Sequence, residues 1–207
     1  TYMAALYLGS AHGEQRLISE MIENREAVIE YTKKHKSQVI DTTIQDIGKV
    51  LNTSTYQKAA WVLHMLRTKI GAENFKTGIR KYYMTFRDSN ALTIDFITVM
   101  EEASNMELDP FFDSWLHQQG HPHISGHWSY DKSTRNLTIQ LNQTGFSMPA
   151  DTYIDITATV GNSIVKLEKY RLENGSGKPI TIKLDKKPSR LELDPAAVLL
   201  YEGGIKE

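Results

Sequence analysis

The spacing of apolar residues changes near residue 120, and this change constrains the fold more strongly than any other feature of the sequence. Before that point apolar residues recur every three or four positions, as on one face of an α-helix. After it they alternate with polar residues, which is typical of β-strands buried on one face. We therefore predict an α+β protein of two domains, with an all-α part at residues 1–121 and a small antiparallel β-sandwich at residues 122–207.

Several segments of the first half have helical spacing and end at residues that favour a helix end. Gly71 lies where a C′ residue with positive φ is expected, and Pro110 follows Asp109 at a first helical position, where its missing N–H costs nothing. We predict helices at about residues 17–31, 44–51, 57–70, 73–86, 93–103 and 109–119.

The second half is divided into short alternating segments by residues that favour turns. The segments with the clearest alternation are NLTIQLNQ, TYIDITATV, IVKLEKYRL, PITIKL and SRLELD. With HWSYD before them and VLLY after them, they predict about seven short strands, a number and spacing typical of a β-sandwich.

Composition narrows the function classes. The chain contains no cysteine, which excludes disulfides, thiolate metal sites and a cysteine nucleophile. Its formal net charge of −1, with KKHK as the longest basic cluster, argues against a nucleic-acid partner. No apolar run approaches the about 20 residues that a membrane span needs, so we predict no transmembrane segment.

Three histidines lie close together in the stretch GHPHISGHW, between the two halves. His121 and His123 could chelate a metal from one face of an extended strand, with His127 as a third ligand. However, the stretch has no Asp or Glu to complete such a set, and Pro122 restricts its shape without a metal. We therefore expect these histidines at the boundary between the halves and no metal site in this chain.

For His64, on the face of a predicted helix, we expect a partly buried side chain with a hydrogen-bond partner.

The segment NTSTYQKAAWVLHMLRTKIG contains a candidate catalytic residue, Tyr56. Ser54 and Gln57 have the spacing of a capping box, which predicts that a helix starts at about Thr55. Tyr56 would then lie in the first turn, near the positive end of the helix dipole. A phenol is protonated at neutral pH and can donate a hydrogen bond to a developing oxyanion. By itself the pattern is weak, because a tyrosine at such a position is more often a packing residue.

The longer stretch YQKAAWVLHMLRTKIGAENFKTGIRKYY resembles the segment that follows the zinc site in the aminopeptidase N family of gluzincin metallopeptidases. That family has Tyr-x-Lys-Gly-Ala at the start of a helix and, later, Phe-x-x-Gly-(Leu/Ile/Met)-x-x-Tyr. The matching residues here are Tyr56, Lys58, Ala60, Gly71, Phe75, Gly78, Ile79 and Tyr82. Ala59 departs from the pattern, since the family usually has Gly at this position.

The resemblance continues to the end of the helical half. The segment LTIDFITVMEEASNMELDPFFDSWLHQQGHP follows the family's order, with matches at Thr93, Asp95, Phe96, Trp115, Gly120 and Pro122. In the family, Gly-x-Pro closes the last helix of the catalytic domain, with the glycine as a left-handed cap. The opening TYMAALY is similar to the tail of the family's Asn-Glu-Gly-Phe-Ala-x-Tyr segment, whose Glu is the third zinc ligand. The strand half resembles, more loosely, the β-sandwich that follows the catalytic domain.

This resemblance implies that the helical half is the end of a thermolysin-like catalytic domain and that Tyr56 is its oxyanion (transition-state) donor. It implies zinc in the parent protein and peptide substrates. It places the His-Glu-x-x-His helix and the later Glu before Thr1, in an upstream catalytic segment of the same polypeptide. We therefore expect the C-terminal fragment of a zinc-dependent aminopeptidase, inactive alone.

Two alternatives remain open at this point. The parent could be a non-catalytic relative that acts as a protein-interaction scaffold; Ala59 slightly favours this alternative, and the intact Tyr56 opposes it. The β-sandwich could also be the functional unit by itself, with the helices as a stalk.

Overall fold

The structure, a computed structural model, describes residues 1–207, with its helices preceding its strands. This order confirms the predicted α+β class. The chain forms two compact units: Thr1–Val28 with Ser37–Gln118, and Ile29–Lys36 with Gln119–Glu207. The segment Ile29–Lys36, which includes the end of a helix, is thus grouped with the strands. The domains that we predict, 1–121 and 122–207, are instead contiguous in sequence.

Six α-helices and two short helical segments precede the strands. The α-helices are α1 (Tyr2–His12), α2 (Glu14–Lys34), α3 (Ala59–Ile70), α4 (Ala72–Phe86), α5 (Thr93–Ser104) and α6 (Asp109–His117). The short segments are a 3₁₀ turn, Ile47–Lys49, and a π-helical turn, Ser54–Lys58. None of these helices is both long enough and apolar enough to cross a membrane.

The α-helix predicted at residues 44–51 is wrong. Only the 3₁₀ turn Ile47–Lys49 forms there, and the side chains of Ile47 and Leu51 are 86% and 68% exposed. A short helix is marginal in water unless an apolar face packs against the protein, and these apolar residues do not reach the core.

Helix α3 is central in the first unit, because apolar residues occupy nearly all of its faces. Its buried apolar side chains are Ala60, Trp61, Val62, Met65, Leu66 and Ile70. A helix with apolar residues all around is suited to a core position. Helix α4 is amphipathic instead, with Phe75 and Gly78 buried.

The family-type residues of α4 have packing roles. A Cβ atom on Gly78 would lie 2.5 Å from the Sδ of Met100, so the absence of a side chain allows α5 to approach α4. Tyr82 packs edge-on against Phe96 of α5, with ring centroids 5.2 Å apart. Both contacts join α4 to α5 through packing.

Helix α6 is shorter than predicted. It ends at His117, and Gln118 has an extended backbone with φ −93° and ψ 143°. Gly120 nevertheless has the positive φ that we predict for it, at 76°. The chain therefore leaves the helix before the glycine.

Ten strands form three sheets in the second unit. The strands are β1 (His123–Asp131), β2 (Asn136–Thr144), β3 (Tyr153–Ile154), β4 (Ile156–Val160), β5 (Ser163–Lys166), β6 (Tyr170–Arg171), β7 (Gly175–Ser176), β8 (Ile180–Lys183), β9 (Arg190–Leu193) and β10 (Glu202–Lys206). The five-stranded sheet has the order β10-β1-β2-β7, with β8 also paired to β2; β3 pairs with β6, and β5-β4-β9 form the third sheet. The predicted alternation is clear in β2, where Leu137, Ile139 and Leu141 are at most 1% exposed.

The last strand differs from the prediction in place and direction. The segment VLLY is not a strand, although Leu199 and Leu200 are buried. The chain instead forms β10 immediately afterwards, and β10 pairs with β1 in parallel, with His123 opposite Glu202. All other strand pairs are antiparallel.

Candidate active-site segment

Tyr56 lies in the π-helical turn Ser54–Lys58 (hereafter the Tyr56 turn), immediately before α3. The N–H of Ala59 donates to the carbonyl of Ser54, five residues earlier, which is the hydrogen-bond spacing of a π-helix. The side chain of Tyr56 is 48% exposed, whereas Ser54 and Lys58, on either side, are 0% exposed. The turn therefore presents one phenol to solvent between two buried polar residues.

The predicted capping box of Ser54 and Gln57 is wrong. The hydroxyl of Ser54 forms a 2.7 Å hydrogen bond with that of Ser37 and caps nothing. The box is formed two residues earlier: the N–H of Thr55 donates to Asn52 Oδ1 at 3.3 Å, and the N–H of Asn52 donates to Thr55 Oγ1 at 2.9 Å. Asn is as good a cap as Ser, so spacing alone did not distinguish the two registers.

Lys58, the last residue of the Tyr56 turn, is buried, and the sequence did not predict this. Its ammonium group donates to the backbone carbonyl of Gln118 at 2.7 Å. Because burial removes water from the charged form, the pKa of Lys58 is lowered from 10.5 to about 8. Family resemblance was the only sequence signal for this residue, since a lysine near a helix start is usually solvated.

A buried polar cluster packs beside α3 in the same unit. The hydroxyl of Tyr2 lies 3.1 Å from Nδ1 of His64, and the guanidinium of Arg25 lies 5.0 Å from the ring centroid of Trp61. Burial raises the pKa of Tyr2 to about 12, against a smaller lowering effect of Arg67. His64 is 4% exposed and hydrogen-bonded, which confirms its satisfied structural role and makes it more buried than we predict.

The three clustered histidines do not share a site. His121 has a largely buried side chain, with Nδ1 2.7 Å from the hydroxyl of Thr32 and Nε2 3.3 Å from a carboxylate oxygen of Glu202. His123 and His127 are exposed on β1. Glu202 also accepts a hydrogen bond from Lys33, which lowers the pKa of the carboxyl group, with a smaller contribution from His121.

No group of three or more His, Cys, Asp and Glu side chains in residues 1–207 is placed to hold a metal ion. The sequence also contains no His-Glu-x-x-His. The zinc that the resemblance implies therefore does not fit the residues of this chain.

The fold of this chain is similar to part of a solved aminopeptidase structure. The solved structure of aminopeptidase A of Legionella pneumophila in complex with aspartic acid is similar over 98% of this chain and 23% of that chain, with a TM-score of 0.75. The two sequences are 13% identical, so this likeness concerns the fold alone.

Sequence comparison defines the family. Residues 1–115 match the model of the Peptidase family M1 domain, which is more than half of the chain. This chain therefore belongs to the M1 peptidase family, and the resemblance found in the sequence is confirmed. Among its relatives, aminopeptidase N of Escherichia coli (strain K12) is 34% identical over 98 residues, and glutamyl aminopeptidase of Sus scrofa is 36% identical over 88 residues.

The matched part is small relative to these proteins. The two matches cover 47% and 42% of this chain, but only 11% and 9% of the respective relatives. Aminopeptidase M1-C of Oryza sativa subsp. japonica is 27% identical over 128 residues, which is 60% of this chain and 15% of that protein. The chain is thus a peptidase-related protein that spans a minor share of the length of its relatives.

Proposed function

We propose that this chain is the C-terminal part of a zinc-dependent aminopeptidase that hydrolyses N-terminal residues from peptides. Membership of the M1 family supports the peptidase class, and the relatives that it matches are named aminopeptidases. The observation on which the proposal rests is the exposed phenol of Tyr56, presented between two fully buried residues of a π-helical turn.

In this proposal Tyr56 donates a hydrogen bond to the oxyanion that forms when water adds to the peptide carbonyl. A neutral phenol is suited to this role, because it is a donor at physiological pH and needs no proton transfer beforehand. A fixed donor stabilises the developing charge without reorganising at the moment of reaction. The half-exposed position of the ring is compatible with access of a peptide to its hydroxyl.

The proposal places the zinc ion in the longer polypeptide of which this chain would be a part. The ligands would come from an upstream segment of the same polypeptide, and zinc bound there would supply Lewis-acid chemistry. Because this chain offers no such ligand set, we propose that it does not hydrolyse peptides alone. The net charge of −1 supports peptides rather than nucleic acids as the proposed partners.

The central test is Tyr56→Phe in the longer polypeptide. We expect kcat to fall by about 10²–10³, with little change in KM, because only the transition state carries the oxyanion. Initial rates on an aminoacyl-anilide measure both constants. Tyr83→Phe is the matched control, since Tyr83 is 65% exposed in the same unit but lies on α4. An unchanged kcat in Tyr56→Phe, or an equal loss in the control, would contradict the role.

A second candidate is a non-catalytic relative that acts as a protein-interaction scaffold. It is favoured by the apolar surface of α4, where Tyr83 and Met84 are 65% and 63% exposed. A groove of about 430 Å³ lies beside Ile79, Tyr82 and Phe86 on the same helix. The upstream sequence distinguishes the two functions, because only a peptidase requires an intact His-Glu-x-x-His and the later Glu.

A further inference from the structure

Two buried polar side chains hold the Tyr56 turn, one at each end. The hydroxyl of Ser54, at the first residue, bonds to the hydroxyl of Ser37 at 2.7 Å, and both residues are buried. The ammonium group of Lys58, at the last residue, donates to the carbonyl of Gln118 at 2.7 Å. Ser37 and Gln118 lie outside the turn, so each end is tied to a different segment of the first unit.

Burial of these groups has an energetic cost that an apolar residue would avoid. Lysine is almost never fully buried, and a hydroxyl that leaves water must find a partner in the protein. The lowered pKa of Lys58 reflects this cost. Met or Leu at position 58 would fill a similar space without this cost. Stability alone therefore does not explain an amine at this position.

The backbone of the turn has an uncommon form, which contacts from outside the turn can stabilise. A π-helical turn is rare and usually appears as a single turn inside or beside an α-helix, often at functional sites. If the segment relaxed to α-helical spacing, the residues before α3 would shift in register relative to that helix. A shift of one residue turns a side chain by about 100° around the helix axis. Tyr56 would then point in a different direction.

We propose that Ser54 and Lys58 are positioning residues that hold the Tyr56 turn in its π-helical form and thereby set the direction of the Tyr56 phenol. Ser54 holds the turn through Ser37, and Lys58 holds it through the carbonyl of Gln118. The geometric part concerns this chain alone. Its catalytic consequence rests on the proposed function, in which the phenol must face the reacting carbonyl.

The geometric part is tested by ¹⁹F NMR on the 207-residue chain labelled with 3-fluorotyrosine, with Tyr56→Phe identifying the Tyr56 resonance. We expect Ser54→Ala and Lys58→Met each to shift or broaden that resonance while the other tyrosine signals keep their dispersion. Ser89→Ala and Lys76→Met are the matched controls, because both residues are exposed, and they should leave it unchanged.

An unchanged Tyr56 resonance in folded Ser54→Ala and Lys58→Met would overturn the proposal. If Lys58→Met does not fold, Ser54→Ala and Ser37→Ala decide by the same criterion. A resonance that moves only when all other tyrosine signals move also overturns it, because that result indicates a general loss of packing.

The catalytic part is tested in the longer polypeptide. Ser54→Ala and Lys58→Met should lower kcat at least about tenfold and keep KM within about twofold, since misplacement of a catalytic group affects the transition state most. Loss of activity in Tyr56→Phe with full kcat in both other variants overturns the positioning role and leaves the proposed function standing. Full activity in Tyr56→Phe overturns the proposed function, and the NMR result then decides the geometric part separately.

Discussion

At the scale of single residues, the exposed phenol of Tyr56 lies next to polar groups whose burial costs free energy. Lys58 is completely buried, and Ser54 and Ser37 pair their hydroxyls out of water. Tyr56 is instead half exposed. Such a contrast between neighbours is expected where a side chain is presented for contact with another molecule, because its supports must be rigid while its polar atom stays accessible.

Lys58 should make the stability of the chain depend on alkaline pH. Its pKa is about 8 in the folded state and near 10.5 in the unfolded state, so between these values the unfolded state binds more protons and stability rises with pH. The destabilising effect of the buried ammonium is fully present below pH 8 and disappears as the pH rises through 10.5. We expect the free energy of unfolding to rise by about 2 kcal/mol between pH 7 and 9.5.

Urea unfolding of the wild type and Lys58→Met at the two pH values measures this effect. The variant should lack the rise, because methionine does not titrate, and the difference between the proteins removes the contributions of other groups. Lys76→Met serves as the exposed control and should keep the wild-type pH dependence. The same rise in Lys58→Met as in the wild type would contradict the assignment.

At the scale of secondary-structure elements, periodicity predicted most helices and strands, whereas their ends and two short segments depended on contacts. The helix around Met21 and Val28 was predicted because both residues lie on one face, and both are 0% exposed. Residues 44–51 have the same periodicity but no surface to pack against. The segment VLLY has strand-like residues, yet its leucines fill the core from an irregular segment before β10.

The contact between α4 and α5 gives a prediction at this scale. Gly78→Ala would place a Cβ 2.5 Å from Met100 Sδ, and Met100 is completely buried. Overpacking of this kind costs about 1–3 kcal/mol, and the better helix propensity of Ala offsets up to about 1 kcal/mol of that. These ranges leave about 0–3 kcal/mol, and we expect a net destabilisation near the middle of that range, about 1–2 kcal/mol, in chemical unfolding.

Thr77→Ala is the matched control for this experiment. Thr77 neighbours Gly78 on α4 but is exposed, so the substitution should be neutral or slightly stabilising. If Gly78→Ala were as stable as Thr77→Ala, the close approach of Met100 would not be the reason for a glycine at this position.

At the scale of the whole molecule, the chain consists of a helical unit and a β unit and belongs to a family of peptidases whose relatives are much longer than the matched segments. This chain therefore contains only some of the residues that the proposed reaction needs. It contains Tyr56 but no zinc ligand set.

This incomplete set of residues predicts that the purified 207-residue chain does not hydrolyse an aminoacyl-anilide, with or without added zinc, because a phenol alone cannot activate water. Rates measured over a range of protein concentrations test this, with Tyr56→Phe as the control. A zinc-dependent rate that is proportional to protein concentration and absent in Tyr56→Phe would contradict it.

Local pattern in the sequence was sufficient for the α+β order, for the family and for Tyr56 as a candidate, because periodicity and motif residues depend on neighbours in the chain. Tertiary contacts decided the rest. They paired the hydroxyl of Ser54 with that of Ser37, buried Lys58 against Gln118 and brought Glu202 to His121. The partners in the last two contacts are distant in sequence, and a hydrogen bond between distant residues exists only once packing has brought them together.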